Sequence, residues 1–294
     1  MEYVIDKKYD KIMLKTFLQK ELSLSARLIR HLKKRETSIL VNGVHANVTH
    51  ILNEGDLLFL DFEDKESDVN ECLEKTDIPL NIVFENENYT VVNKPAGMPT
   101  HQSLKHYTDT LANALAFRYR DKPYVFRAIN RLDKDTSGIV ITANNRFYAD
   151  VLSEKLKNGE FHKQYIAVVK GRIDEKGEIN APIARIQECI ITRGVCDNGD
   201  ESITLYEPIF VCDDATVLLV TPVTGRTHQI RVHMSYIGHP IIGDDLYGEM
   251  SEEIPRQALH AYSLKIDGEG EFKAELPCDM KELIRRYFGD VESI

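Results

Sequence analysis

Three side chains in this sequence, each beside or within an apolar segment, are of the types that could do chemistry together. Asp133 stands in Asn130-Arg131-Leu132-Asp133-Lys134-Asp135-Thr136-Ser137-Gly138, just before the apolar run Ile139-Val140-Ile141-Thr142. An aspartate anion can act as nucleophile or base at a sugar carbon. Tyr165, in Lys163-Gln164-Tyr165-Ile166-Ala167-Val168-Val169, carries a phenol that both donates and accepts and can relay a proton. Arg226, in Gly225-Arg226-Thr227-His228-Gln229-Ile230-Arg231-Val232-His233, offers a two-point fork for a carboxylate or a phosphate. Asp135 reads as a turn or cap residue before Thr-Ser-Gly. His228 and His233 are five apart, as are His101 and His106, a spacing that does not match the i, i+4 metal pair. We therefore expect no metal.

The elements that must position these groups follow from periodicity. Ile82-Val83-Phe84 and Tyr89-Thr90-Val91-Val92 read as paired strands, leading to the loop Asn93-Lys94-Pro95-Ala96-Gly97. A helix is expected over 109–119, and Tyr148, Leu152 and Leu156 mark another. Alternation in 163–169 puts Tyr165, Ala167 and Val169 on one strand face. Ile230, Met234 and Ile237 form a helical stripe, with His228 and Arg231 together on another face, before the stop at Gly238-His239-Pro240. Gly243-Asp244-Asp245-Leu246-Tyr247-Gly248 reads as a turn near the cleft.

Charge divides the chain. Its 294 residues carry a formal charge of −10, which argues against a generic nucleic-acid coat. Residues 1–60 are net +3, however, and residues 61–88 net −8. Asp61-Phe62-Glu63-Asp64-Lys65-Glu66-Ser67-Asp68 has the composition of a solvated linker kept extended by its own repulsion. We divide the chain into a domain at 1–62, an acidic linker at 63–79 and a catalytic domain at 80–294. Leu14, Phe17 and Leu18 form one helical stripe; Ser25 caps a second helix with Leu28, Ile29 and Leu32 inward and Arg27, Arg30, Lys33 and Lys34 outward. Val41-Asn42-Gly43-Val44 signals a hairpin, and Leu57–Leu60 a short buried strand. Five scattered cysteines, at 72, 189, 196, 212 and 278, read as reduced thiols. No apolar stretch suits a membrane span, and Met1–Asp10 lacks the apolar run of a secretory signal. The expectation is a cytoplasmic protein without membrane attachment.

Two resemblances sharpen the expectation. Ser25-Ala26-Arg27-Leu28-Ile29, Val41-Asn42-Gly43-Val44 and Gly55-Asp56, over about residues 10–62, resemble the S4 RNA-binding domain. That resemblance implies a helix-plus-hairpin module laying Arg27, Arg30, Lys33 and Lys34 against structured RNA. Arg131-Leu132-Asp133-x-x-Thr136-Ser137-Gly138, Lys163-x-Tyr165, Gly225–His233, Gly243-Asp244-x-x-Tyr247-Gly248 and Asn93–Gly97 together resemble the RluA-type pseudouridine synthases. The implied fold is α+β: a mixed, mostly antiparallel sheet with flanking helices, beside the small N-terminal domain. The implied reaction isomerises uridine to pseudouridine in a structured RNA, ribosomal (23S) RNA being favoured over transfer RNA. In it Asp133 acts on the ribose, by attack at the anomeric carbon or removal of the 2′ proton. Tyr165 serves proton removal from carbon 5, Arg226 pairs with Asp133, and Arg131 fills the gap left by the extruded base. One departure is visible: many relatives carry His where this chain has Asn130, a position bearing on how RNA is seated. A monomer is expected. The competing readings are a catalytically silent RNA-binding relative and a glycoside hydrolase, which would need two carboxylates about 5–9.5 Å apart.

Overall fold

A computed structural model of the chain describes residues 1–186 and 192–290. The N-terminal part holds β1 (Glu2–Val4), α1 (Leu14–Lys20), α2 (Ala26–Leu32), β2 (Ile39–Val41), β3 (Val44–His45) and β4 (Leu57–Leu60). Its four strands pair in the order β1-β4-β2-β3. Asn42 and Gly43 both take positive φ, as the two-residue hairpin between β2 and β3 requires. Ser25 caps α2 by accepting the Leu28 amide. Leu28, Ile29 and Leu32 are buried with Leu14, Phe17 and Leu18 in one core. Lys33 is the C-cap of α2, so Lys33 and Lys34 lie just past the helix.

The larger part contains β5 (Asn81–Glu85), β6 (Tyr89–Lys94), α3 (Leu111–Arg118), β7 (Ser137–Ala143), α4 (Arg146–Lys157) and β8 (Phe161–Lys170). These are followed by β9 (Gly177–Asn180), β10 (Ile183–Arg185), β11 (Arg193–Val195), β12 (Ile203–Val211) and β13 (Ala215–Pro222). Last come α5 (Gln229–Tyr236), β14 (Leu259–Ile266), β15 (Gly270–Lys273) and α6 (Cys278–Phe288). The main sheet runs β5-β6-β7-β14-β8-β13-β12-β9, with β15 on β14. All its pairings are antiparallel except β7 with β14. The architecture is the expected α+β one with a mostly antiparallel sheet.

The centre of the sheet positions the chemistry. β7 is buried along its whole length, so an unbroken apolar run suits it better than alternation. β14 inserts between β7 and β8, its Ala261 opposite both Gly138 and Tyr165. Gly138 has φ +114, and a Cβ there would overlap the Ala261 backbone, so the Thr-Ser-Gly turn needs glycine for this close crossing. A register shift between Ala261 and Ser263 falls directly beside Tyr165, a place where such bulges re-aim side chains.

The acidic segment is not the solvated, extended linker that its composition suggests. Asp64 accepts a bidentate pair from Arg127, at 2.8 and 2.5 Å, and its side chain is 2 % exposed. Asp68 is paired with Arg35 and with Arg146 (3.0 Å). The repulsion expected among these acids is cancelled by arginines on either side of the seam. Phe62 against Phe147 (4.9 Å between rings) and the Ser25 amide on Asp150 (2.5 Å) close the same junction.

Cys72, Cys196, Cys212 and Cys278 are free thiols, while Cys189 lies outside the described residues. No helix among the described residues is long and apolar enough to cross a membrane.

His260 on β14 ties β14 to β7 and to the chain after β15. Its Nε2 lies 3.1 Å from the Ala274 carbonyl, which can only accept, so Nδ1 accepts from Ser137 Oγ (2.9 Å). Burial of this neutral ring pushes its pKa down to about 4. Between that value and the ordinary 6.5 the unfolded chain binds a proton that the folded one refuses. Stability should therefore fall as pH drops from 6.5 to 4, by roughly 3 kcal/mol at the acid end of that window. Urea midpoints measured across that window should show the slope in wild type, and His260→Gln should flatten it.

Candidate active site

Asp133 sits at the tip of a hairpin. Residues 127–129 fold back on the far half of β7: Ile129 donates to the Ile141 carbonyl and Ala143 to that of Arg127. Asn130 then extends the ladder with its side chain, donating to the Ile139 carbonyl (3.0 Å) and accepting from the Ile141 amide (2.9 Å). The Asn130 amide thus fastens the loop to its own strand, which gives this position a structural use apart from RNA seating. Inside the loop Thr136 donates to the Asp133 carbonyl. Thr100 exchanges bonds with the Leu132 backbone (3.2 and 3.4 Å). Lys94, fully buried at the end of β6, reaches the carbonyls of Pro95, Met98 and Lys134. Burial pushes its ammonium down to about 7, opposed by Asp135 and Asp133.

Asp133 and Tyr165 line one cavity of about 290 Å³, with Arg131, Lys163, Arg226 and Arg231 also on its wall. The Tyr165 phenol is held above its ordinary pKa, first by burial and then by the Asp133 anion, so it is a neutral donor and acceptor. Burial lowers the Lys163 ammonium on the same strand. Arg131 is exposed on the loop beside Asp133, where it can enter the cavity mouth.

The arginine paired with Asp133 is Arg231, not Arg226 as the sequence suggested. Arg231 Nη1 lies 3.1 Å from Asp133 Oδ2. The same guanidinium grips the fully buried Asp244 with two bonds, Nε to Oδ2 at 2.7 Å and Nη2 to Oδ1 at 2.8 Å. Burial opposes its charge, yet Asp244 and then Asp133 hold its pKa above the usual value. Asp244 accepts the Leu246 and Tyr247 amides as well, so the Gly-Asp-x-x-Tyr turn is the anchor for the arginine. Arg226 instead precedes the helix: its backbone amide donates to Gln229, its Nε donates to the Glu201 carbonyl (3.1 Å), and its side chain is partly exposed. The difference is one of turn geometry. His228, the N-cap of α5, has φ +58, which sends the chain before it away from the helix axis and puts Arg231 in the first turn facing the loop.

His228, on the same helix face as Arg231, also reaches the site. The Arg193 amide donates to the Tyr247 oxygen (2.8 Å), leaving the hydroxyl proton for His228 Nδ1 (2.8 Å). The ring proton then sits on Nε2, which faces Asp133 Oδ2 at 3.7 Å. Arg231 and His228 both address Oδ2, which leaves Oδ1 for a substrate. The spacing of His228 and Arg231 on one helix face was the sequence signal for this pairing.

Comparison with known proteins decides the family. The sequence matches RNA pseudouridylate synthase over residues 88–236. The chain belongs to the RNA pseudouridine synthases. It is 39 % identical over 273 residues to the uncharacterized RNA pseudouridine synthase YjbO of Bacillus subtilis, covering 90 % of this chain and 96 % of that one. It is 34 % identical over 230 residues to ribosomal large subunit pseudouridine synthase D of Borreliella burgdorferi, covering 74 % and 70 %. The solved structure of human RNA pseudouridylate synthase domain containing 4 matches with a TM-score of 0.58 at 22 % identity, covering 70 % of this chain and 92 % of that one. The synthase is thus an isomerase acting on uridine in RNA. The matched span includes Asp133, Tyr165 and Arg231; Asp244 and Tyr247, which hold the site from behind, lie beyond it.

Removing Asp244 would leave Arg231 buried with half its partners. Asp244→Ala should lower stability by about 3–5 kcal/mol, read as a fall in the urea midpoint, and should depress synthase activity beyond that fall because Asp133 loses its fixed neighbour.

Proposed function

We propose that the synthase converts specific uridines of structured RNA, 23S ribosomal RNA foremost, into pseudouridine with Asp133 as the catalytic carboxylate. The observation that carries this is the Asp133 carboxylate, one oxygen held by Arg231 and the other without a bond among the described residues, in a cavity shared with Tyr165. In the reaction the bond from N1 to C1′ breaks, the base turns in place, and C5 bonds to C1′. The C5 proton is removed and N1 gains one, so the product is an isomer and nothing leaves. Asp133 acts on the ribose, by C1′ attack or C2′ proton removal, from the same position. Tyr165, a neutral phenol, serves the C5 proton. Arg231 holds Asp133, the part that the family resemblance implied for Arg226. Arg131 stacks into the space vacated by the extruded nucleotide, offsetting a flipping cost of a few kcal/mol. No cofactor enters this chemistry.

Among the described residues lining the cavity, Asp133 is the one carboxylate. A glycosidase pair flanking one cleft is therefore not formed there. The intact Asp133, Tyr165 and Arg231 favour an enzyme over a silent RNA-binding relative. The ribosomal preference is supported by relatives named ribosomal large subunit pseudouridine synthase D.

We assign RNA contact to the N-terminal domain as an S4-like module acting as a monomer in the cytoplasm. Arg27, Arg30 and Lys34 are exposed and line a groove that also takes in Ala128 and Ile129. Those two residues line the active-site cavity too. A basic groove that reaches the catalytic loop suits backbone phosphates, which position an RNA without reading its sequence.

Mapping pseudouridines in RNA from cells lacking the protein tests the function directly: loss of specific sites in 23S RNA is expected, and an unchanged map defeats the reading. Asp133→Asn should abolish turnover while binding transcribed 23S RNA within a few-fold of wild type; retained turnover would sink the catalytic assignment. Replacing Arg27, Arg30, Lys33 and Lys34 together by Gln should weaken RNA binding and flatten its dependence on salt. A filter-binding series with an unchanged slope would take α2 away from the RNA.

A further inference from the structure

A second cavity, of about 390 Å³, opens on the other side of the 225–227 turn. Gly225, Arg226 and Thr227 line both cavities, so the two are separated by one turn of chain. The remaining wall comes from β10 and β11 and from Asp200. Three arginines, Arg185, Arg193 and Arg226, converge on it with one carboxylate among its lining residues. For Arg226 that carboxylate is a weak match: Asp200 Oδ2 is 3.9 Å from Arg226 Nη1 and its side chain is 73 % exposed, a pairing worth little in water.

One further feature points to an anion: among the described residues Arg193 Nη1 is buried without a hydrogen-bond partner, a state that costs free energy until an acceptor arrives. A guanidinium fork fits the oxygens of a phosphodiester. Arg226 is held in the right place for that work, since its own amide and Thr224 both bond to Gln229, and Gln229 is fixed in turn to β12 through Ile203 and Thr204.

We propose that this second cavity is a phosphate seat for the RNA strand beside the target uridine. Arg226 and Arg193 grip one backbone phosphodiester there while Asp133 works on the ribose next door. The inference rests on the RNA reading above and gives the chain's Gly-Arg-Thr turn a part in substrate binding, distinct from the part Arg231 plays. Holding a neighbouring phosphate also fixes the backbone about which the nucleotide turns out of its stack.

The test uses the full-length enzyme and a short synthetic stem-loop spanning a uridine that the mapping identifies. Arg226→Gln should reduce kcat/KM by about 10- to 100-fold, carried by KM, and should lower the salt slope of binding by about 1. Stem-loops carrying a single neutral methylphosphonate, moved linkage by linkage past the uridine, should impair wild type at one linkage. At that linkage Arg226→Gln should lose nothing more. Arg193→Gln, checked for an unchanged thermal midpoint, should repeat the pattern. Independent, multiplying losses from the variant and the neutral linkage, or an unchanged salt slope, would overturn the seat. Failure of wild type to form pseudouridine on the unmodified stem-loop would instead strike the functional reading, so the two failures are separable.

Discussion

One guanidinium organises this site. Arg231 lies between a carboxylate that is wholly buried and one that faces a cavity, and it bonds to both. Taking Asp244 out of water is unfavourable unless it is paired and its other lone pairs are used. The two amides of the turn and the bidentate arginine meet that need. Buried ion pairs contribute little net stability compared with apolar groups of the same size, but their geometry is restrictive. Here the restriction fixes Asp133 from behind, so the oxygen facing the cavity is ordered in advance. Arg231 also lies over the Tyr247 ring, at 5.1 Å, while the Tyr247 hydroxyl orients His228. The turn at 243–248 therefore sets both groups that touch Asp133 Oδ2.

That constraint explains features of the fold that otherwise look costly. His228 carries a positive φ without being glycine, a strain of order 1–3 kcal/mol that must be overdetermined by its surroundings. The bond to Tyr247 and the first turn of α5 supply that determination. Gly243 has φ +76, and a Cβ there would overlap the carbonyl oxygen of Arg256. Arg256 itself bonds to the Asp135 carbonyl and to Asp279 at the start of α6. The Asp133 loop, the anchoring turn and the last helix are thereby packed as one unit. His233, two residues past Arg231, reaches back to Thr204 and the Ala181 carbonyl and ties α5 to β12.

Much of this was legible in the sequence. Asp133 and Tyr165 stand where local pattern alone puts a loop before a strand and a phenol within one, and α1, α2 and the Asn42-Gly43 hairpin announce themselves by stripe, cap and turn. The choice between Arg226 and Arg231 was not legible in the same way. Both lie in one nine-residue motif, and which of them reaches Asp133 depends on the left-handed residue between them, which spacing does not reveal. The acidic segment misled for a different cause. Asp64 and Asp68 look solvated because their partners, Arg127 and Arg146, come from residues roughly 60–80 positions later and are brought close only by folding. Strands β9 to β13 carry no motif, yet they supply the backing for α5 and a wall of the second cavity.

The acid–arginine seam has a consequence for how an RNA could be chosen. Without Asp64 and Asp68, the guanidiniums of Arg35, Arg127 and Arg146 would face one another across the junction and push the N-terminal domain away. With them, α2 is held against α4, and Asp150 on α4 receives the first amide at the Ser25 cap. The groove under α2 and the cavity around Asp133 share Ala128 and Ile129, so a fixed junction means a fixed separation between the basic helix and the Asp133 carboxylate. A module that holds phosphates at a set distance from a catalytic group selects RNAs by the path of their backbone rather than by base edges. Under the RNA-binding reading, the local excess of acid in an otherwise basic N-terminal region is then what makes its distance to the active site definite, and target choice becomes a question of which RNA folds can span that distance with a uridine at its end.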